Sequence, residues 1–301
     1  VHVTMILTEM ADWDWPREIR FLALTPITHA SGAMIMPVLM KSGTYAMTQG
    51  FTPEKFIRLV EQHRITATFL VPTMVYVLLD SPARQGADLS SLQLIIYGAS
   101  PMSPARLTEG IRVFGPVFMQ LYAQSEAPNT VTVLHQHEHD PVHHPERLAS
   151  CGKPCVGTQV RLLDDDGHEV PRGDVGEICV RGPLVMQGYW NKPEETAKAL
   201  RHGWLYTGDM ARQDADGFLY IVDRSKDMII SGGFNVYPRE VEDVLSQHPA
   251  VAAAAVVGVP DAKWGEAVRA LVVLRPGTSV VVEDLVPELM AFVREKKGAV
   301  Y

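Results

Sequence analysis

Between about residues 20 and 122, short β-branched apolar runs alternate with longer amphipathic ones, and this alternation constrains the fold more than any other feature of the chain. The stretch FTPEKFIRLVEQH reads as a helix, with Thr52 as N-cap, Pro53 at the first helical position and Phe56, Leu59 and Val60 on one face. ITATFLVP follows as a strand, TMVYVLLD as a helix and LQLIIYG as a strand. SPARLTEGIRVFG is then a helix opened by Ser103 and Pro104, and VFMQLY a strand. Strands alternating with helices point to a parallel sheet with both faces covered. Ligands of such sheets collect beyond the C-terminal strand ends. Two loops sit there: YGASPMS at 97 to 103 and YAQSEAPNT at 122 to 130.

The texture changes downstream. From about 151 to 222 short strands are punctuated by glycine turns, with Asp-Gly hairpin pairs at 166–167 and 216–217, which predicts a β-barrel-like subdomain. After Asp223, YPREVEDVLSQHP reads as a helix, VAAAAVVGV and RALVVL as strands and EDLVPELMAFVREKK as a final helix. The expected fold class is α/β, with parallel-sheet αβ layers over about 1–150, the β subdomain over about 151–222, and a small α+β domain at 227–301. DRSKD at 223 to 227 is the candidate linker, and the chain's first residues, from Val1, read as strand.

Composition narrows the function. At 301 residues and 47% hydrophobic positions the chain can bury a sizeable core. Its net charge of −8 is spread along the sequence, so no nucleic-acid partner is implied. Three cysteines, an odd number, beside thirteen methionines suit a reducing compartment and place the protein in the cytoplasm. No apolar run reaches the length of a transmembrane segment.

Residues 206 to 235, YTGDMARQDADGFLYIVDRSKDMIISGGFN, hold more polar and backbone-exposing elements than a core needs. Asp209, fixed by a glycine turn, is suited to accept hydrogen bonds from vicinal hydroxyls such as those of a ribose, and equally to an Asx turn. Arg224 and Lys226 read as ligand contacts or as a solvated linker, and Gly232 and Gly233 as a hairpin or as backbone along which an extended ligand runs. In the upstream loops, the Ser125 hydroxyl and Glu126 carboxylate could serve a phosphate and its Mg²⁺. Gly98 and Ala99 would let a flat ring approach the backbone. Taken singly, each has an ordinary structural explanation.

Taken in order, they do not. PITHASG, YGASPMS, QLYAQSE, GEICVRGPLVMQGYWNKPEET, GWLYTGDMA, DRSKDMIISGGFNVYPREVE and PDAKWGE run the length of the chain. In this the sequence resembles the adenylate-forming superfamily of acyl-CoA synthetases, peptide-synthetase adenylation domains and beetle luciferases, and within it a fatty-acid or other carboxylic-acid CoA ligase. The resemblance implies an ATP-dependent acid–thiol ligase that forms an acyl-adenylate and then a thioester with coenzyme A. Gly98, Ala99 and Ser100 would form a backbone shelf against adenine, with Tyr122 stacked on the ring and Gln120 at its edge. Ser125 would touch the phosphates, Glu126 would hold Mg²⁺, and Asp209, assisted by Arg224 and beside Ile221, would take the ribose. His29 matches a position near the reacting carboxylate. Lys226 would be the hinge about which a mobile C-terminal domain swings. Gly232, Gly233, Trp264 and Glu266 would then face CoA.

Departures from the family pattern are also expected. A phosphate-binding Ser/Thr/Gly-rich loop would precede residue 1 and a C-terminal lysine would follow Tyr301, so the chain is expected to be an incomplete family member that adenylates poorly alone. Ala123 and Asp223 stand where glycine is usual and Ser125 where threonine is. Two other readings stay open: an enzyme loading a carrier protein, and a non-catalytic nucleotide-binding fragment. A homodimer and the identity of the carboxylic acid are likewise open, with an apolar pocket expected around His29 and the 70–79 helix, where Met74, Val77 and Leu78 could line one side. HQHEHDPVHH at 135 to 144 invites a metal, but its acidic, proline-containing context predicts a surface loop.

Overall fold

A computed structural model describes residues 1–224, 227–231, 234–261, 264–275 and 282–298. The first residues correct the reading above: they form a helix, α1 (His2–Asp12), in place of a strand. Val3, Thr4 and Ile6 carry strand propensity, but Met5, Thr8 and Glu9 fall on one helical face and are buried there, and packing overrides propensity.

The expected alternation follows as β1 (Arg20–Ala23), α2 (Ala30–Ala33), α3 (Ile35–Met40), β2 (Thr44–Met47), α4 (Pro53–His63), β3 (Ala67–Leu70), α5 (Pro72–Asp80), β4 (Leu94–Tyr97), α6 (Pro104–Phe114) and β5 (Phe118–Gln124). With β6 (Ala127–Leu134) and β7 (Lys153–Pro154) these strands form a seven-stranded sheet in the order β2-β1-β3-β4-β5-β6-β7. The first five strands are parallel; β6 pairs antiparallel with β5, and β7 antiparallel with β6. Every residue of β3 and β4 is buried, as a strand covered on both faces requires. Phe56, Leu78 and Leu107 of α4, α5 and α6 pack on one side. Trp13, Phe21, Met34 and Val38 pack on the other. At the start of α4 the Thr52 hydroxyl accepts from the Lys55 amide, and Pro53 follows it, as the sequence predicts.

The histidine cluster is not simply a surface loop. A 3-10 turn, Gln136–Glu138, carries it, and His139 is buried at 5% exposure. The His139 Nδ1–H donates to the His135 carbonyl at 2.7 Å, while Nε2 accepts from the Tyr97 hydroxyl at 3.0 Å. Burial pushes the His139 pKa down to about 4, which keeps the ring neutral. His135 turns instead to Asp14, 3.1 Å away.

The β subdomain comprises β8 (Gln159–Leu163), β9 (Gly176–Arg181), α7 (Pro193–Ala199), β10 (Leu200–Arg201), β11 (Trp204–Gln213) and β12 (Leu219–Arg224). Its five strands form an antiparallel sheet in the order β10-β11-β9-β8, with β12 paired to β11. β12 continues through Arg224, so Asp223, expected in a linker, lies in a strand and is 8% exposed.

Beyond it come β13 (Ile229–Ser231), β14 (Phe234–Val236), α8 (Pro238–Leu245), β15 (Val251–Asp261), β16 (Gly265–Leu274) and α9 (Val282–Lys297). The sheet order is β14-β13-β16-β15, and Val241, Val244 and Leu245 of α8 share a core with Leu285, Leu289 and Val293 of α9. The first turn of α8 is tied to the β subdomain: the Arg239 amide donates to Asp223 Oδ2 at 3.1 Å, and the Arg212 guanidinium pairs with the Glu240 carboxylate. No helix among the described residues is long and apolar enough to cross a membrane.

Candidate functional site

β5 contributes Gln120, Tyr122 and Gln124, together with Leu121 and Ala123, to the lining of a cavity of about 390 Å³, and its register against β6 shifts between Tyr122 and Gln124. Asp209 enters from β11 through a break in pairing. The register of β11 against β9 shifts between Tyr206 and Met210, and Gly208 adopts φ +77°, which a side chain would resist. Glu177 accepts from the Gly208 amide at 2.7 Å, and the Thr207 hydroxyl donates to the Ile178 carbonyl at 2.8 Å. The bulge therefore aims Asp209 at β5. There the Tyr122 hydroxyl donates to Asp209 Oδ2 at 2.6 Å, and Gln124 Nε2 donates to the same oxygen at 2.8 Å. Arg224 Nε lies 3.4 Å from Oδ1. Burial, with the Asp209 carboxylate adjacent, holds the Tyr122 phenol well above its usual pKa, so it remains a donor.

The shelf residues follow β4. Ala99 and Ser100 line the cavity, and Ala99 takes φ +66°, a conformation alanine rarely adopts. Gly98 does not line it but stands directly behind. A Cβ there would lie 2.5 Å from the Leu121 carbonyl oxygen, so only glycine lets β4 pass this close to β5. The opposite wall is made by Ile221, Asp223 and Arg224 of β12, by Asp227, and by Arg239 and Glu242 of α8. Burial raises the pKa of both Asp223 and Glu242.

Of the residues singled out in the sequence, Ala99, Ser100, Gln120, Tyr122, Asp209, Ile221 and Arg224 thus meet around one cavity. Others do not. Ser125 and Glu126 form the tip of the β5–β6 hairpin outside its lining, where Glu126 Oε1 accepts from the Tyr189 hydroxyl at 2.7 Å. His29 is exposed at the start of α2 and lines neither this cavity nor a second, apolar one of about 620 Å³ formed by residues 23–28 and 47–50. Met74 and Leu78 are core residues and Val77 faces outward, so α5 lines neither space, contrary to expectation. Trp264 is half exposed, and Glu266 accepts from the Ile230 amide at 2.8 Å. Lys226, Gly232 and Gly233 lie outside the described residues.

Sequence reasoning missed Gln124, although its period-two relation to Gln120 and Tyr122 was available. Arg239 and Glu242 lie within the motif DRSKDMIISGGFNVYPREVE but nothing in the sequence singles them out there.

The profile of the AMP-binding enzyme family matches residues 2–190, and that of the AMP-binding enzyme C-terminal domain matches residues 240–301. The chain belongs to the AMP-binding enzyme family. Within this adenylate-forming family, the medium/long-chain-fatty-acid–CoA ligase of Mycobacterium tuberculosis is 52% identical over 300 residues, which are 99% of this chain and 52% of the relative. The chain thus spans about half the length of the curated relatives it matches. Among solved family structures, the amide bond synthetase McbA of Marinactinospora thermotolerans superposes with a TM-score of 0.91 at 38% identity, over 99% of this chain and 60% of that one. o-Succinylbenzoate CoA synthetase of Bacillus subtilis, in complex with its acyl-adenylate intermediate, gives a TM-score of 0.84 at 31% identity over 100% of this chain and 59% of that one.

Proposed function

We propose that the protein is an ATP-dependent carboxylic acid–CoA ligase acting through an acyl-adenylate, with a fatty acid as the substrate class. The observation that carries this reading is the meeting of Tyr122, Asp209 and Arg224 around one cavity. A ring, a buried carboxylate and a cation in that arrangement suit the base, ribose and phosphate of a mononucleotide. The 52% identity to a fatty-acid–CoA ligase supports the choice of acid and thiol.

In this reading Ala99 and Ser100 flank the adenine opposite the Tyr122 ring, Gln120 meets its edge, Gly98 sets the depth of the shelf, and Ile221 packs beside the ribose. Asp209 takes the ribose hydroxyls and Arg224 the adjacent negative charge. Ser125 meets the phosphates. The Glu126 carboxylate, half-buried and engaged by one donor, retains lone pairs for a Mg²⁺ that also needs phosphate and water oxygens. When bound, that ion would neutralise charge on the departing pyrophosphate. His29 lies at the acid end, Lys226 is the hinge between the unit ending at 225 and the domain at 227–301, and Gly232, Gly233 and Trp264 meet CoA. The substrate carboxylate displaces pyrophosphate from the α-phosphorus, and the thiol then displaces AMP from the acyl carbon. The protein's part is to place charges and exclude water. Three free cysteines agree with the cytoplasm as its compartment.

Incubating the protein with ATP, Mg²⁺, CoA and carboxylic acids of graded length tests this. Thioester and AMP should appear together, slowly for a chain that spans about half its relatives' length, with a preference for aliphatic chains; ADP in place of AMP would sink the reading.

A further inference from the structure

Gln124 reaches across from β5 to both ends of the bulge that carries Asp209. Its Nε2 donates to Asp209 Oδ2 and to the Thr207 carbonyl, each at 2.8 Å. On the other side the bulge is held by Glu177 and by the Ile178 carbonyl. Asp209 Oδ2 therefore accepts from two protein donors, Tyr122 and Gln124, while Oδ1 has Arg224 Nε at 3.4 Å, longer than a normal N–H···O bond.

We propose that Gln124 is a positioning residue for Asp209: it commits Oδ2 to the protein and so presents Oδ1 to the ribose hydroxyls of the bound nucleotide. The inference rests on the nucleotide reading of the cavity. Its physical content is that a short carboxylate beside a glycine at positive φ has torsional freedom, and that two donors on one oxygen remove it before the ligand arrives. Tyr122 binds only the carboxylate, through Oδ2. Gln124 binds the Thr207 carbonyl as well, and so fixes the bulge backbone and the carboxylate together.

Calorimetric titration of AMP and of 2′,3′-dideoxy-AMP into the protein and into Gln124→Leu, Gln124→Glu and Asp209→Asn tests it. In Gln124→Leu the AMP dissociation constant should rise roughly 2- to 10-fold, the scale of one ordinary net hydrogen bond because the ligand feels the loss only through Asp209, with the dideoxy constant little changed. The preference for AMP then collapses by the same factor, which simple loss of packing would not produce. Gln124→Glu places two carboxylates within hydrogen-bond reach, where they share one proton at low pH and repel when both ionise. Its AMP affinity should approach that of the parent near pH 5 and fall as pH rises. An unchanged AMP-to-dideoxy ratio in Gln124→Leu, or a pH-independent Gln124→Glu, overturns the positioning role. If Asp209→Asn also leaves the ratio intact, the nucleotide reading itself is at fault and the positioning role falls with it.

Discussion

Tyr122 and Asp209, 87 residues apart in the chain, are joined by a 2.6 Å hydrogen bond from the phenol to Oδ2. One belongs to the last parallel strand of the seven-stranded sheet and the other to a bulge in the β subdomain. Their bond closes one side of the cavity and couples a flat apolar surface to a carboxylate.

That coupling separates two variants. Tyr122→Phe keeps the ring and loses the donor; Tyr122→Ala loses both. AMP titration should show a modest rise in dissociation constant for the first, and a further roughly 5- to 100-fold rise for the second, since stacking of a base on an aromatic ring contributes about 1–3 kcal/mol. Equal effects would mean that the ring does not meet the base.

Gly98→Ala should destabilise the sheet by about 1–3 kcal/mol, because the added methyl meets the Leu121 backbone oxygen at 2.5 Å and backbone cannot rotate aside. Urea denaturation reads this directly. A neutral substitution would show that β4 and β5 can separate at their ends.

Glu9 in α1 is fully buried, with Oε1 accepting from Asn129 at 2.9 Å and Oε2 lacking a hydrogen-bond partner. Burial pushes its pKa up to about 8. A folded-state value above the unfolded one means that the stability linked to its proton is fully present below about pH 4.5 and is lost as pH rises through about 8. Glu9→Gln keeps the acceptor for Asn129 and carries no charge. It should match the parent near pH 5 and exceed it above pH 8 by on the order of 4 kcal/mol, at 1.36 kcal/mol per pH unit. Denaturation midpoints at the two pH values check this; an identical difference at both would show Glu9 to be ionised throughout.

Asp223 accepts from the Arg224 amide at 2.7 Å and from the Arg239 amide at 3.1 Å, so it substitutes for the missing side-chain cap of α8. Asp223→Ala should cost about 1–2 kcal/mol at that helix end. Amide exchange should quicken in the first turn of α8 while β3 and β4 keep their protection. Uniform exchange would show that the first turn is held by other contacts.

The strands and helices from Thr52 to Gln124 were legible because apolar periodicity and a proline at the start of each helix agree there with the burial the sheet imposes. The N-terminal helix was not, since its β-branched residues favour a strand in isolation and only packing of Met5 and Glu9 decides otherwise. His139 reads as a surface histidine among acidic neighbours, yet the Tyr97 hydroxyl beneath it supplies the partner that makes its burial tolerable. At the site, glycines and carboxylates in family order pointed to Ala99, Tyr122 and Asp209. Arg239 and Glu242 became visible only when α8 was seen against β12.

What the chain alone determined is local: where the backbone alternates between strand and helix, where glycine permits a positive φ, and which polar side chains are candidates for a ligand. Tertiary structure decided which of these meet. A hydrogen bond such as that from Gln124 to Asp209 depends on the relative placement of two sheets, and distance along the chain carries no information about a contact that only packing brings within 3 Å.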